Sequence, residues 1–373
     1  MEQTNRIMTQ IPQHILEKPG ARLLYMTPLA LGDFLYQSGY LQQIQRQYPQ
    51  LTIDIWFDDL RKRSKSWQQG RNRILGQWLE ATDYIEQFYP IPETSVEREE
   101  AVARAQQRDY DAVFFLSKSR VDRYEKYARR ICPKGFVAAV AASKNRLKRF
   151  LFGARPDLLL ALERFSLADG AHVSELYSHF FQQVFNLKVQ TVKPALEVPE
   201  SWQQRISARF KAQRQQGCRL ILINFLSTNP SHDLSLDAVM SLAGEMLVLQ
   251  TQLAFVLCVP PHELEHTEKA CAAVPDALAG RVLAFTAQEH FFELPALVEY
   301  CDFILSVDTS VMHFASALER PLVALMRTNN RQWRPLEAST TSVVYAMGTD
   351  WVKDIPQSSI VAACEAQGFF HHG

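Results

Sequence analysis

The chain of 373 residues has six cysteines, scattered at Cys132, Cys218, Cys258, Cys271, Cys301 and Cys364, with no CxxC pair among them. That spacing argues against a structural zinc site and for a reducing compartment. No stretch approaches the roughly 20 apolar residues needed to span a bilayer. The opening MEQTNRIMTQIPQHILEKPG lacks the apolar segment of a secretory signal, so the expected location is the cytoplasm. There is no GxxxxGK[ST] phosphate loop, no GxGxxG after a strand and no GxSxG. ATPase, dinucleotide dehydrogenase and serine hydrolase readings therefore lose their main supports. Short-period repeats and low-complexity tracts are absent too.

Net charge is also missing, since Lys+Arg and Asp+Glu are both 40, which excludes a histone-like or acidic-tail protein. The balance conceals an asymmetry. Residues 1–193 hold 28 basic against 21 acidic side chains, and residues 194–373 hold 12 against 19. Most of the excess lies in Lys118–Arg155, where 12 basic residues face only Asp122 and Glu125. A solvated helix face explains most such runs. The density of this one, which includes Lys118, Arg120, Arg123, Lys126, Arg129 and Arg130, favours an anionic partner. A phosphorylated acceptor, an acidic membrane surface and nucleic acid all fit that description, although no recognisable nucleic-acid module accompanies it.

What is present in quantity is alternation of strand and helix patterns. A strand at Arg22–Thr27 is followed by a loop Pro28–Asp33 and a helix Phe34–Tyr48 whose Phe34, Leu41, Ile44 and Tyr48 share one face. Strands are predicted at 52–57, 84–88, 112–116 and 135–140, with helices at 95–108 and 121–131 between them. After a linker over Asn186–Pro199 the pattern restarts: helix 202–216, strand 219–224, helix 236–249, strand 254–259, helix 263–273, strand 282–285, helix 292–300, strand 303–307, helix 310–318 and strand 322–326. Alternation of this kind predicts parallel sheets covered on both faces. Two such units, 1–193 and 194–373, imply a cleft with ligands at strand C-termini.

Two segments carry candidate chemistry. In Phe303-Ile-Leu-Ser-Val-Asp308-Thr309-Ser310-Val-Met-His313, an apolar strand turns directly into a helix. Asp, Thr and Ser are good helix caps, and capping alone accounts for them. The same junction offers free amides and a positive dipole end, suited to a diphosphate, with His313 one turn in. The second segment is Leu31-Gly32-Asp33 after the first strand. Asp33 reads either as a helix cap or as a carboxylate placed to take a proton from a hydroxyl.

In this order and separation the two segments resemble the family 9 glycosyltransferases, typified by the lipopolysaccharide heptosyltransferases. Leu31-Gly32-Asp33 with Tyr48-Pro49 is similar to the family's Gly-Asp pair, and Asp308-Thr309-Ser310-Val311-Met312-His313 to its Asp-Thr-Gly…His segment. Arg320-Pro321 and Trp333-Arg334-Pro335 follow. The likeness is good over residues 22–58 and 219–335 and weak over most of 60–190. It implies a GT-B architecture, two Rossmann-like α/β domains facing each other across a cleft: an acceptor-side domain 1–193 and a nucleotide-sugar domain 194–373. It also implies an inverting transfer of heptose from ADP-heptose to the lipopolysaccharide inner core, with no metal and no cofactor. Asp33 would be the general base; Thr309, Ser310 and His313 would hold the diphosphate and Asp308 the sugar hydroxyls. Glu263 matches a ribose-binding Glu, and Ser227 and Thr228 match hydroxyls near the phosphates. The basic run would meet an anionic lipid-linked saccharide or the inner leaflet, making the protein cytoplasmic or peripheral, with no role for nucleic acid.

Two departures from the family touch the donor side. Ser310 replaces a Gly, and no Lys occurs between Lys211 and Lys269, where the family places a phosphate contact; His232 stands near that position. Readings from other classes are a non-catalytic GT-B domain that binds a nucleotide sugar and a zinc peptidase. The latter would use His262-Glu263-x-x-His266, which satisfies HExxH but lacks an obvious third ligand.

Overall fold

The apolar runs after each polar helix form parallel strands, and the longer ones at the middle of each sheet are buried along nearly their whole length, as where helices cover both faces. The computed structural model describes residues 10–27, 31–58, 60, 66–117, 119–141, 156–162, 170–188, 192–348 and 350–370. These fall into two compact units, Met1–Ala195 and Leu196–Gly373. No helix among the described residues is long and apolar enough to cross a membrane.

In the first unit the strands are β1 (Arg22–Thr27), β2 (Thr52–Phe57), β3 (Gln87–Tyr89), β4 (Ala112–Ser117), β5 (Phe136–Ala141) and β6 (Leu158–Ala161). They pair in the order β3-β2-β1-β4-β5-β6, all parallel. The helices are α1 (Gln13–Leu16), α2 (Leu31–Gln47), α3 (Ser66–Leu79), α4 (Ser95–Gln106), α5 (Val121–Ile131) and α6 (Val173–Phe185). The helix predicted over Phe34–Tyr48 begins three residues earlier, so Gly32 and Asp33 lie in its first turn rather than in a loop. It does not present a single buried face either: Phe34 through Leu41 are buried without interruption. Ala195 N donates to Ser38 Oγ at 2.9 Å, and a Cβ on Gly39 would overlap the carbonyl oxygen of Lys193. The chain therefore crosses α2 in direct backbone contact at that glycine.

Alternation along β1 separates two cores. Tyr25 faces an aromatic cluster: its ring stacks on Phe114 at 4.6 Å between centroids and meets Phe181 edge-on at 5.7 Å. Tyr40 stacks on Phe181 at 5.2 Å, and Phe185 closes on Phe114 at 4.9 Å. Such pairs contribute about 0.5–1.5 kcal/mol each beyond their area. Leu24 and Met26 point the other way, into a core with Trp56, Tyr89, Tyr110, Phe115 and Tyr124.

The second unit carries β7 (Arg219–Asn224), β8 (Leu253–Cys258), β9 (Val282–Phe285), β10 (Phe303–Val307), β11 (Leu322–Met326) and β12 (Thr341–Tyr345), in the order β12-β11-β10-β7-β8-β9. Its helices are α7 (Glu200–Arg209), α8 (Lys211–Gln215), α9 (Leu236–Leu249), α10 (Leu264–Ala272), α11 (Glu293–Tyr300), α12 (Ser310–Ala317) and α13 (Gln357–Ala366). The helix predicted at 202–216 breaks at Phe210, which leaves helical geometry (φ −107, ψ 18) to bury its ring. The main core here is largely aliphatic, built on Ile221, Ile223, Val239, Leu242, Leu253, Leu257, Leu305, Val307, Val323 and Leu325. All six cysteines are free thiols, and five of them are buried.

Candidate functional site

Each sheet has the strand order 3-2-1-4-5-6, so successive crossovers leave a central strand pair in opposite directions, and loops diverge above its C-terminal ends. In the second unit that pair is β7 and β10, with Asn224 opposite Ser306. Thr309 Oγ1 donates to Asn224 Oδ1 at 2.9 Å, bridging the divergence. The same oxygen caps α12 by accepting from Val311 N at 3.3 Å. Asp308 does not cap. Its carboxylate accepts from Asn330 Nδ2 at 2.5 Å and stands 3.6 Å from His232 Nδ1, with the side chain 9% exposed. Burial raises the Asp308 carboxyl above the usual range, while the Asn330 hydrogen bond and the charge of His232 oppose that rise. Ser310 is half-buried at the first position of α12, and His313 is buried one turn on, edge-on to Trp333 at 6.1 Å.

The other residues expected from the sequence to bind the donor occupy the loops on either side. Ser227 closes its own turn: its hydroxyl donates to Asn229 O at 2.8 Å and accepts from Asn229 N at 3.0 Å, while its amide bonds Asp233 Oδ1 at 2.7 Å. Thr228 is exposed. Glu263 ends a single 3₁₀ turn after β8, half-exposed and 3.9 Å from the His262 imidazole. The expected helix 263–273 starts at Leu264, so His262 and His266 do not share one α-helical face. His262 is 76% exposed, and among the described residues no group of three or more His, Cys, Asp or Glu could hold a metal ion.

Sequence reasoning missed the residues that organise these loops. Asp350, in the left-handed region at φ +59, accepts from Thr328 N at 2.6 Å, Thr328 Oγ1 at 2.7 Å and Arg327 Nε and Nη2 at 3.2 and 3.1 Å. Arg327 Nη1 continues to Ser231 Oγ at 2.8 Å. The polar run Arg327-Thr328-Asn329-Asn330 directly after an apolar strand was the available signal, because ligands of such sheets meet strand C-termini.

In the first unit the divergence lies between β1 and β4, and Asp33 follows β1. Tyr177 of α6 donates its hydroxyl to Asp33 Oδ1. Tyr25 donates to Gln37 Oε1, one turn along α2 from Asp33. Burial first, and then the negative charge of Asp33, push the Tyr177 phenol well above its usual range, so it stays a donor. α6 starts from a capping box in which His172 Nδ1 accepts from Ser174 N at 3.0 Å and Glu175 Oε1 accepts from His172 N at 3.1 Å. The helical stripe Tyr177, Phe180, Phe181, Val184 is the signal that could have found this helix.

Of the basic run, Lys118 and residues 142–155 lie outside the described residues. Arg120 precedes α5 in left-handed geometry at φ +53. Arg123 Nη1 donates to Leu60 O at 2.6 Å; Arg129 pairs with Asp157 at 2.7 Å and donates to Gly135 O at 2.9 Å. Arg130 pairs with Glu99 and lies over the Tyr127 ring, and with Lys126 nearby it holds the Glu99 carboxyl below its usual range. Arg129 and Arg130 are thus already matched to carboxylates.

The sequence model of glycosyltransferase family 9 (heptosyltransferase) matches residues 153–354. No curated protein matches the chain. Among solved structures, a glycosyl transferase family 9 protein from Veillonella parvula is 17% identical with a TM-score of 0.74, covering 94% of this chain and 98% of its own. The E. coli ADP-heptose lps heptosyltransferase II is 16% identical with a TM-score of 0.68, covering 93% and 98%. E. coli heptosyltransferase WaaC with ADP is 14% identical with a TM-score of 0.62, covering 93% and 99%. The shared fold is GT-B, with Rossmann-like α/β units of parallel sheet and flanking helices.

Proposed function

The chain belongs to glycosyltransferase family 9, and from that premise we propose that it transfers heptose from ADP-heptose to the inner core of lipopolysaccharide, inverting the anomeric centre without a metal. The observation that carries this reading is the Thr309–Asn224 bond, which fixes the first turn of α12 above the strand divergence with His313 beside it. Amides at a helix start and an imidazole donor suit a leaving diphosphate. In this scheme Thr309, Ser310 and His313 contact the diphosphate, Asp308 accepts from sugar hydroxyls, Glu263 meets the ribose, and Ser227 and Thr228 flank the phosphates.

Asp33 is the general base of the scheme. The acceptor oxygen forms its bond to the anomeric carbon as the carbon–phosphate oxygen bond breaks; the proton goes to Asp33 and the electron pair leaves with ADP. The Tyr177 hydroxyl supports the role by fixing one carboxylate oxygen. Donor identity draws its support from two relatives, an ADP-heptose lps heptosyltransferase and a heptosyltransferase with ADP. We assign residues 1–193 to the acceptor and 194–373 to the nucleotide sugar. Arg120, Arg123 and Lys126, at the start of α5 and along it, together with Lys118 just before them in the sequence, would draw an anionic acceptor or the cytoplasmic leaflet, by about 1 kcal/mol per residue near the surface.

A thermal-shift panel of ADP, UDP, GDP and CDP, followed by ADP release from ADP-heptose with a Kdo-bearing lipid acceptor, tests the reading. Selective stabilisation by ADP and acceptor-dependent release are expected; stabilisation by another nucleotide alone would reassign the donor.

A further inference from the structure

Asp308 is gripped from two loops that belong to different strands. Asn330 comes from the 3₁₀ turn after β11, and His232 from the turn after β7. Each side chain rides on a short irregular segment; the one after β7 is also tied locally, by Ser231 N donating to Asn229 Oδ1 at 3.2 Å and Ser227 N to Asp233 Oδ1 at 2.7 Å. Both segments lead back to one residue. Asp350 Oδ1 takes the amide and hydroxyl of Thr328, the first residue of the turn that carries Asn330. Asp350 Oδ2 takes Arg327, whose remaining guanidinium nitrogen reaches Ser231, the neighbour of His232. We propose that Asp350 is a positioning residue for donor-sugar recognition, one carboxylate that sets both arms closing on Asp308. This rests on the reading of Asp308 as the acceptor of sugar hydroxyls.

The location favours local control over general stabilisation. The Arg327 and Asp350 side chains are 21% and 22% exposed, and a partly solvated ion pair contributes little to global stability. Asp350 also holds left-handed geometry at φ +59, which Asp and Asn adopt more readily than other side chains with a Cβ. The backbone turn therefore aims the carboxylate at the loops of β7 and β11. Asp308 needs such aim: burial disfavours its charged form, and the two arms are what supports it.

Calorimetry with two probes, ADP and ADP-heptose, tests this on the full chain. Asp350→Ala should weaken ADP-heptose about tenfold, in the range of couplings within one hydrogen-bond network, and leave ADP within about twofold. Asp350→Asn keeps the acceptor for Thr328 and loses the pair with Arg327, so its loss should be smaller, about threefold. In an Asp308→Asn background, Asp350→Ala should add no further loss, which a merely structural role would not produce. Equal weakening of both probes, or the same loss in the Asp308→Asn background, overturns the proposal. If Asp350→Ala does not fold, Asp350→Asn in the two backgrounds separates the same two outcomes. Wild-type protein that binds neither probe would instead remove the function on which the proposal stands.

Discussion

The two units hold their key carboxylates by opposite means. In the first, Asp33 is reached from within: the core behind it is aromatic, and its tyrosines bring hydroxyls into the interior, so Tyr177 bonds Asp33 and Tyr25 bonds Gln37 beside it. In the second, the main core is largely aliphatic. The partners of Asp308, Asn330 and His232, come from surface loops, which are tied together by Arg327 and Asp350. A tyrosine-bearing core can orient a buried charge with a neutral, rigid donor. Aliphatic side chains offer no such donor and leave that work to loops, here tied by the Arg327–Asp350 ion pair.

That contrast can be broken by experiment. Asp33→Asn should lower turnover by roughly 10²–10⁴-fold while ADP affinity, measured by calorimetry, stays unchanged. Near wild-type turnover would reduce Asp33 to a structural group. Phe180→Ala, in the aromatic core, should cost about 3–5 kcal/mol in urea unfolding and depress turnover through Tyr177; Leu257→Ala should cost about 2–5 kcal/mol with ADP-heptose affinity retained. An equal loss of turnover in both variants would erase the distinction between the cores. Tyr177→Phe removes one hydrogen bond to a charged group, about 1.5–3 kcal/mol, and should slow turnover about tenfold or more with little change in donor affinity.

The smallest effect expected concerns pH. Burial raises the pKa of Asp308, so the folded protein holds that proton more tightly than the unfolded chain, and stability falls as pH rises through the raised value. Asp308→Asn should therefore raise Tm slightly at pH 7. The gain should shrink on acidification and vanish below about pH 3.8, the unfolded value. A lower Tm at pH 7 would mean that His232 and Asn330 more than offset the burial.

The strands that flank the site were legible because burial on both faces writes them as unbroken apolar runs. Predicted and observed limits coincide at Arg22–Thr27, Thr52–Phe57, Arg219–Asn224, Phe303–Val307 and Leu322–Met326. The sixth strand of each sheet went unread. β6 has only four residues with alternating exposure, and β12, Thr-Ser-Val-Val-Tyr, is half-buried throughout, so neither carries the double-sided apolar signature. The third strand, expected at 84–88, forms at Gln87–Tyr89, because its register is set by pairing with Asp54–Trp56 rather than by its own apolar residues. Gly32 was misleading for a local reason: glycine reads as a turn, yet here it sits in a helical first turn. The motif residues Asp33, Asp308, Thr309 and His313 could be named from type and order alone. The segments of Tyr177, Arg327 and Asn330 left a pattern in the sequence, but the roles of these three and of Asp350 could not be read there, since each matters through a partner distant in the chain, from 22 residues for Asn330–Asp308 to 144 for Tyr177–Asp33.

Residue 39 illustrates how one atom can restrict a whole position. With the backbone at Lys193 lying against α2 there, even a methyl group has nowhere to go. A complete mutational scan of that codon should return glycine alone among folded clones, despite alanine's advantage of about 1 kcal/mol in an ordinary helix. The helix that bears Asp33 thus tolerates no sequence drift at the spot where the polypeptide crosses over it on the way out of the first unit.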